Sequence, residues 1–270
     1  MFANDLRFAL DPVAFAESFG FKPDQWQIQV LRWSGRQLLL NCARQSGKST
    51  IAAILAVHTA MYCRSSLILL VSPSQRQSSE LFKKVTDILS MTQNKPTMLE
   101  DNKLSCTFSG GSRIVSLPSN EATIRGFSGA TLIVEDEASR VNDDLYRALR
   151  PMLAVSGGRL VLMSTPFGRR GHFFDEWSNG TQDWCRVTFT AAENPRISRE
   201  FLAEERRSLG DWWYRQEYEC QFMNRSDQVF NYETVIGAVS NDVPCLFPAH
   251  ISTMSSQNNA ISSEIKPLWR

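Results

Sequence analysis

The stretch CARQSGKS, residues 42–49, ends in Gly47-Lys48-Ser49. Those three residues match the close of the phosphate-binding pattern G-x-x-x-x-G-K-[ST]. Each type there has a use. Gly47 lets the backbone approach a phosphate closely, and the first N–H groups of the following helix, with its dipole, favour an anion. Lys48 neutralises β- and γ-phosphates, and Ser49 is placed to ligate Mg²⁺. Gln45, Ser46 and Thr50 complete the nucleotide-binding set. The first place of the pattern holds Cys42 instead of glycine. A small residue is tolerated there provided the backbone avoids positive φ.

A second chemical cluster closes the apolar run TLIVEDEAS, residues 131–139. A carboxylate at such a strand end can hold Mg²⁺, and a second can orient and polarise an attacking water. We assign Asp136 to the metal and Glu137 to the water. Strand side chains alternate faces, so Glu135 is expected to point away from Asp136, as a surface or strand-end residue. In RLVLMSTPFG, residues 159–168, Ser164 and Thr165 end a strand where a polar group could sense a γ-phosphate. The plainer reading is a strand end turned by Pro166. In PDQWQIQVL, residues 23–31, Gln27 could bond adenine bidentately, although an exposed helix glutamine is the plainer reading. No N-K-x-D guanine motif occurs, because NKPT at Asn94 lacks the acid, so the choice falls on ATP.

These residues need elements to position them. LLLNCA, SLILLVS, RIVSLP, TLIVEDE, RLVLMST and CRVTFT read as strands. GKSTIAAILAVHTAMY, SQRQSSELFKKVTDIL, DDLYRALRPML and GHFFDEWS read as helices between them. Continuous apolar strands alternating with helices predict an α/β fold, a mainly parallel sheet with helices on both faces. Ligands of such sheets bind outside the strand carboxyl ends, where these motifs fall. Ahead of the core, DPVAFAESFG has an Asp11 cap, Pro12 in the first turn and Gly20 at the far end, and a second helix follows Pro23. Residues 1–196 therefore read as the core with an N-terminal helical segment, 197–230 as a small helical subdomain, and 231–270 as a Ser/Asn-rich linker.

Composition limits the remaining choices. The 29 Lys+Arg and 28 Asp+Glu of the 270 residues nearly cancel, so any contact with nucleic acid must come from a local patch. The 6 cysteines form no C-x-x-C pair, which argues against a zinc site or a disulfide scaffold and suits a reducing cytosol. No signal peptide is read at the N-terminus, and IAAILAVHTAM is too short to span a bilayer.

Taken in order, PDQWQIQVL, CARQSGKST, LVSPSQRQSSELF, IRGFSGATLIVEDEASRV, LVLMSTPFGRRGHFF and WYRQEYECQF resemble the ATPase domain of tailed-phage terminase large subunits, the motors that package viral DNA. The resemblance implies a P-loop NTPase of the ASCE, RecA-like class with a helical lid after Ile197. It implies a loop arginine, Arg44, on the γ-phosphate, and Gln27 on adenine. Asp136 and Glu137 fall on the family's metal-binding and catalytic acids, and Ser164-Thr165 on its coupling motif. Arg125 resembles the arginine that reaches a neighbour's ATP, with Arg140 and Arg169 as rivals. Implied cofactors are ATP and Mg²⁺. Implied partners are double-stranded DNA held by its phosphates, a homo-oligomeric ring, a portal and a small terminase subunit, in the host cytoplasm and without a membrane. The family carries a C-terminal nuclease domain, and this sequence stops at KPLWR, near where that domain should begin. The expectation is an isolated motor domain or a truncated form that does not cut DNA. Two other readings fit the same residues. A helicase-like ATPase would separate strands, and a nucleotide-binding switch would not turn over.

Overall fold

A computed structural model describes residues 2–119, 124, 126–224, 234 and 237–238. Residues 1–229 form one compact unit and 230–270 a second. The expected linker at 231–270 falls almost wholly outside the described residues.

The core is an 8-stranded sheet in the order β3-β4-β5-β2-β6-β7-β1-β8. The strands are β1 (Gln37–Cys42), β2 (Leu67–Ser72), β3 (Met98–Asn102), β4 (Ser105–Phe108), β5 (Arg113–Pro118), β6 (Leu132–Asp136), β7 (Arg159–Ser164) and β8 (Trp184–Phe189). Every pairing from β5 across to β8 is parallel, as the continuous apolar runs predict. The antiparallel β3–β4 hairpin is an addition to the six expected strands. Its outer strand, MLEDN, is largely exposed and carries Glu100 and Asp101, so it has no apolar signature. Charge on an edge strand also discourages pairing with another chain.

The helices are α1 (Phe2–Leu10), α2 (Pro12–Ser18), α3 (Gln25–Arg32), α4 (Lys48–Tyr62), α5 (Gln75–Met91), α6 (Asp143–Leu149), α7 (Gly171–Ser178), α8 (Arg199–Leu209) and α9 (Asp211–Glu217). Residues of α2 to α5 pack with Leu38, Leu40, Val134 and Val161 on one sheet face. Residues of α6 and α7 pack with Leu39, Ile133, Leu160 and Leu162 on the other. The alternation of strand side chains is what separates these two cores. Helix α4 buries residues on all sides, from Ile51 to Ala60, because the sheet lies on one flank and other helices on the rest. Helix α6 tightens into a 3₁₀ turn over Arg150–Leu153, where Pro151 has no N–H to continue the α pattern. No helix among the described residues is long and apolar enough to cross a membrane. Among the described residues, Cys42, Cys63, Cys106, Cys185 and Cys220 are unpaired.

The expected cap at Asp11 forms. Its carboxylate accepts the Val13 N–H at 3.0 Å and a forked pair from Arg32 Nε and Nη2 at 3.1 and 2.8 Å. The Arg32 bond is the main cause holding the Asp11 carboxyl below its ordinary pKa. Asp11→Ala is therefore expected to lower the unfolding free energy by about 1 kcal/mol, the usual cost of a lost cap. A depressed carboxylate contributes its stability above the unfolded pKa and loses it as the pH falls through the folded one. Urea unfolding should show the full difference at neutral pH and a smaller one in acid, where the cap bond to Val13 outlasts the charge.

Candidate active site

Strand β1 delivers the chain into residues 43–47, and α4 leaves it. The Ala43 N–H donates to Phe189 O at 2.9 Å, which fixes the loop entrance to β8. The left-handed positions of the loop are Gln45, at φ 61°, and Gly47, at φ 89°. Cys42 is not among them, so the first glycine of the usual pattern answers no conformational need here. Burial pushes the Cys42 thiol up to about 12, which leaves it an inert strand residue.

Four predicted residues converge where β1 and β6 end. Lys48 Nζ lies 3.1 Å from Glu137 Oε1, and the lysine is only 7% exposed. Burial works against its ammonium form, but Glu137 and Asp136 outweigh it, and its pKa is raised. Ser49 Oγ donates to Asp136 Oδ2 at 3.4 Å. Burial first, then the Glu137 charge, push Asp136 up to about 6, with Lys48 opposing. A hydroxyl and a carboxylate side by side are the hard oxygen donors that Mg²⁺ takes, so the residues fit that ion.

Glu137 turns off the strand in the left-handed region, at φ 52° and ψ 41°. A non-glycine residue held so is strained, and the local contacts keep it there. Its N–H donates to Asp136 Oδ1 at 3.0 Å, and its Oε2 accepts from Ser164 Oγ at 3.4 Å. Ser139 Oγ in turn lies 2.7 Å from Ser164 Oγ and donates to Thr165 O at 2.8 Å. The ends of β6 and β7 are thus joined through hydroxyls. Ser164 and Thr165 are both buried, and the Ser164 hydroxyl reaches Glu137.

Two expectations meet a different geometry. Gln27 is buried at 2% exposure, not an exposed helix residue. Its Oε1 accepts the Asp24 N–H at 2.9 Å and its Nε2 donates to Ser46 O at 3.3 Å, so its amide braces the loop. Glu135 does face away from Asp136, but it is 0% exposed and not a surface residue. His172 Nε2 lies 3.1 Å from its Oε1. Arg44 pairs through Nε with Glu217 Oε2 at 2.7 Å, on α9, and Arg140 Nη2 approaches the other Glu217 oxygen at 3.9 Å. Of the arginines considered for action on a neighbour, Arg140 lies over the Phe167 ring, 4.1 Å from its centroid, and Arg169 Nε donates to Phe222 O at 3.0 Å. Arg125 lies outside the described residues. Gln45, Ser46, Thr50 and Gly47 sit on the loop and first turn as expected. The Asn194 amide holds the loop by donating to Gln45 O at 3.1 Å.

Beside the loop opens a cavity of about 700 Å³, with Arg44, Gln45, Asn194, Ile197, Phe201 and Tyr218 in its wall. Its aromatic members escape a sequence reading because Phe201 and Tyr218 look like ordinary apolar residues of a helical segment.

A phosphate loop and an acidic strand on one parallel sheet occur in many proteins, and the comparison that decides between them is the sequence profile. The profile of the family described as "Terminase large subunit, T4likevirus-type, N-terminal" matches residues 39–235. The chain belongs to this family. Among relatives, it is 25% identical over 252 residues to the terminase large subunit of Thermus phage G20c, covering 80% of this chain and 52% of that protein. It spans about half the length of the curated terminases it matches. Among solved structures, the large terminase ATPase domain of Thermus phage P74-26 aligns with a TM-score of 0.71 at 21% identity, over 79% of this chain and 100% of that one. The large terminase of another thermophilic bacteriophage, solved in complex with ADP, aligns at TM-score 0.60 and 13% identity, over 74% and 53%. At these identities the solved structures show the fold, which is that of large terminase ATPase domains. The expected family is found, and so is the expected α/β fold with a mainly parallel sheet.

A methyl group added at Gly47 would stand 2.9 Å from Gln27 Nε2, on a left-handed backbone. Gly47→Ala is expected to destabilise the chain by about 1–2 kcal/mol in urea unfolding. An unchanged midpoint would contradict the loop geometry.

Proposed function

We propose that the chain is the ATP-hydrolysing motor domain of a viral terminase large subunit, which drives double-stranded DNA into a procapsid. The observation that carries this reading is the convergence of Lys48, Ser49, Asp136 and Glu137 at the carboxyl edge of β1 and β6. The large terminase of the thermophilic bacteriophage, solved in complex with ADP and with ATP-gamma-S, supports a nucleotide as the ligand.

Each residue then has a task. Lys48 and the N–H groups that open α4 bind the β- and γ-phosphates. Ser49 and Asp136 hold Mg²⁺, which when bound neutralises charge developing on the phosphate oxygens. Glu137 accepts the proton of the attacking water, and Ser164 orients its carboxylate through the other oxygen. Thr165, at the end of β7, follows the γ-phosphate. The cavity walled by Ile197, Phe201 and Tyr218 offers apolar and aromatic surface to the base and ribose. Gln27 acts on the nucleotide by bracing Ser46, unless its amide exchanges partners for adenine.

Arg44 serves the γ-phosphate, and its pairing through Nε with Glu217 puts α9 in contact with the residue that answers to the nucleotide. Residues 197–230 are read as the lid that moves with turnover. Arg125 of a neighbouring subunit completes charge stabilisation in a ring, with Arg140 and Arg169 as alternatives. Contact with DNA is to phosphates, without sequence readout, alongside a portal and a small terminase subunit in the host cytoplasm.

Lys48→Ala is expected to abolish measurable ATP binding in titration calorimetry. Glu137→Gln keeps binding but lowers single-turnover hydrolysis by about 10²–10⁴-fold, the contribution of a general base. Undiminished hydrolysis by Glu137→Gln would contradict the assignment of the base.

A further inference from the structure

Nucleotide binding and hydrolysis make no use of the other side of β6. Glu135 follows the strand alternation onto the α6–α7 face, between the positions of Val134 and Asp136. It is a carboxylate at 0% exposure in the middle of the sheet, paired with Val71 of β2 and Leu162 of β7. A carboxyl group buried so deeply needs a polar partner.

That partner is the His172 ring, itself 5% exposed, in the first turn of α7. Nε2 lies 3.1 Å from Glu135 Oε1, and Nδ1 lies 3.1 Å from Asp143 Oδ1, at the start of α6. The Glu135 contact is Coulombic more than directional, because the ring N–H does not aim along the carboxylate. The Tyr146 ring stacks on the imidazole at 4.5 Å and 10°, and Tyr146 is fixed by its hydroxyl bond to Glu176 at 2.7 Å. The ring cannot swing without breaking this stack. Burial opposes the protonated imidazole, but Glu135 and Asp143 outweigh it and raise its pKa.

The three partners belong to three different parts of the site. Glu135 adjoins Asp136 and Glu137. Asp143 opens the helix that follows the Glu137 turn. His172 opens the helix that follows Ser164-Thr165. The backbone N–H of His172 also donates to Asp143 Oδ1, at 2.7 Å. Gly171 supplies the left-handed backbone, at φ 76°, that starts the helix at this bond. The backbone bond therefore joins α6 to α7 whatever the side chain at 172. What the imidazole adds is the link from both helices to β6.

We propose that His172 is a positioning residue for ATP hydrolysis: clamped between Glu135 and Asp143, it sets the distance between the loop carrying Glu137 and the loop carrying Thr165. This rests on the function proposed above. Through Glu135 it restrains the backbone that bears the metal ligand and the base, from the face opposite the nucleotide. Loosening it shifts the base relative to the attacking water, whereas the backbone of the phosphate loop keeps its own anchors on Phe189, Asn194 and Gln27. The effect thus belongs in turnover and not in nucleotide affinity.

His172→Ala leaves the buried Glu135 carboxyl without its partner and can fail by unfolding. The decisive variant is the double replacement Glu135→Leu with His172→Phe, which removes both charges, keeps the volume close and retains a ring against Tyr146. Three quantities are read on the 270-residue chain: the thermal midpoint, the ADP and ATP dissociation constants, and the single-turnover rate with Mg²⁺. The expected result is a folded variant with dissociation constants within about twofold of the unaltered chain and a rate lowered about tenfold or more. Wild-type turnover in the double variant, or a loss of affinity that matches the loss of rate, overturns the positioning role alone. Failure of the unaltered chain to hydrolyse ATP overturns the function reading, and the positioning role with it.

Discussion

Lys48 is an ammonium group taken almost wholly out of water, at 7% exposure, and placed at the N-terminus of a helix whose dipole repels it. Such a charge persists only where anions face it. Glu137 at 3.1 Å and the neighbouring Asp136 supply them. The sheet order makes this possible. Only β7 separates β1 from β6, so the acids at the end of β6 reach the loop after β1. The same two carboxylates repel each other, which is part of why Asp136 titrates high, up to about 6. A cation and a pair of acids held in this balance can be redistributed by a phosphate and a divalent ion at little structural cost.

The balance extends outward through polar contacts. Hydroxyls of Ser139 and Ser164 join Glu137 to the end of β7. Glu217 brings α9 onto Arg44, and Gln216 accepts the Gly168 N–H at 3.3 Å, so α9 touches both the phosphate loop and the loop after β7. Asn41 Nδ2 donates to Cys220 O at 2.9 Å, which lays the segment after α9 across the end of β1. The helices after Ser198 are therefore wired to the site they flank, and a change of charge between Arg44 and Glu217 has a direct mechanical route into them.

Much of this is legible in the sequence, for local reasons. Strand, loop and helix follow one another over CARQSGKS, and a parallel sheet gathers its strand ends at one edge, so Lys48, Ser49, Asp136 and Glu137 can be placed together without coordinates. Cys42 is acceptable once positive φ is the criterion. The helix cap at Asp11 is likewise local. What cannot be read depends on contacts far apart in the chain. Glu217 is 173 positions from Arg44. Glu135 reads as a surface acid because nothing nearby in sequence announces His172. Gln27 reads as an exposed residue because its partner, Ser46 O, lies 19 positions on. The β3–β4 hairpin is hidden for a different reason: a half-exposed, acidic edge pair shows no alternation strong enough to identify it.

If the site works as described, the Lys48–Glu137 contact is exchanged for a bound nucleotide and metal. A crystal structure of the chain with Mg²⁺ and ATP-gamma-S tests this most directly. The expected complex has Lys48 Nζ on the β- and γ-phosphates, the metal between Ser49 Oγ and the Asp136 carboxylate, and Glu137 turned to a water in line with the γ-phosphate. A nucleotide bound elsewhere, or bound with Lys48 still paired to Glu137, would contradict it.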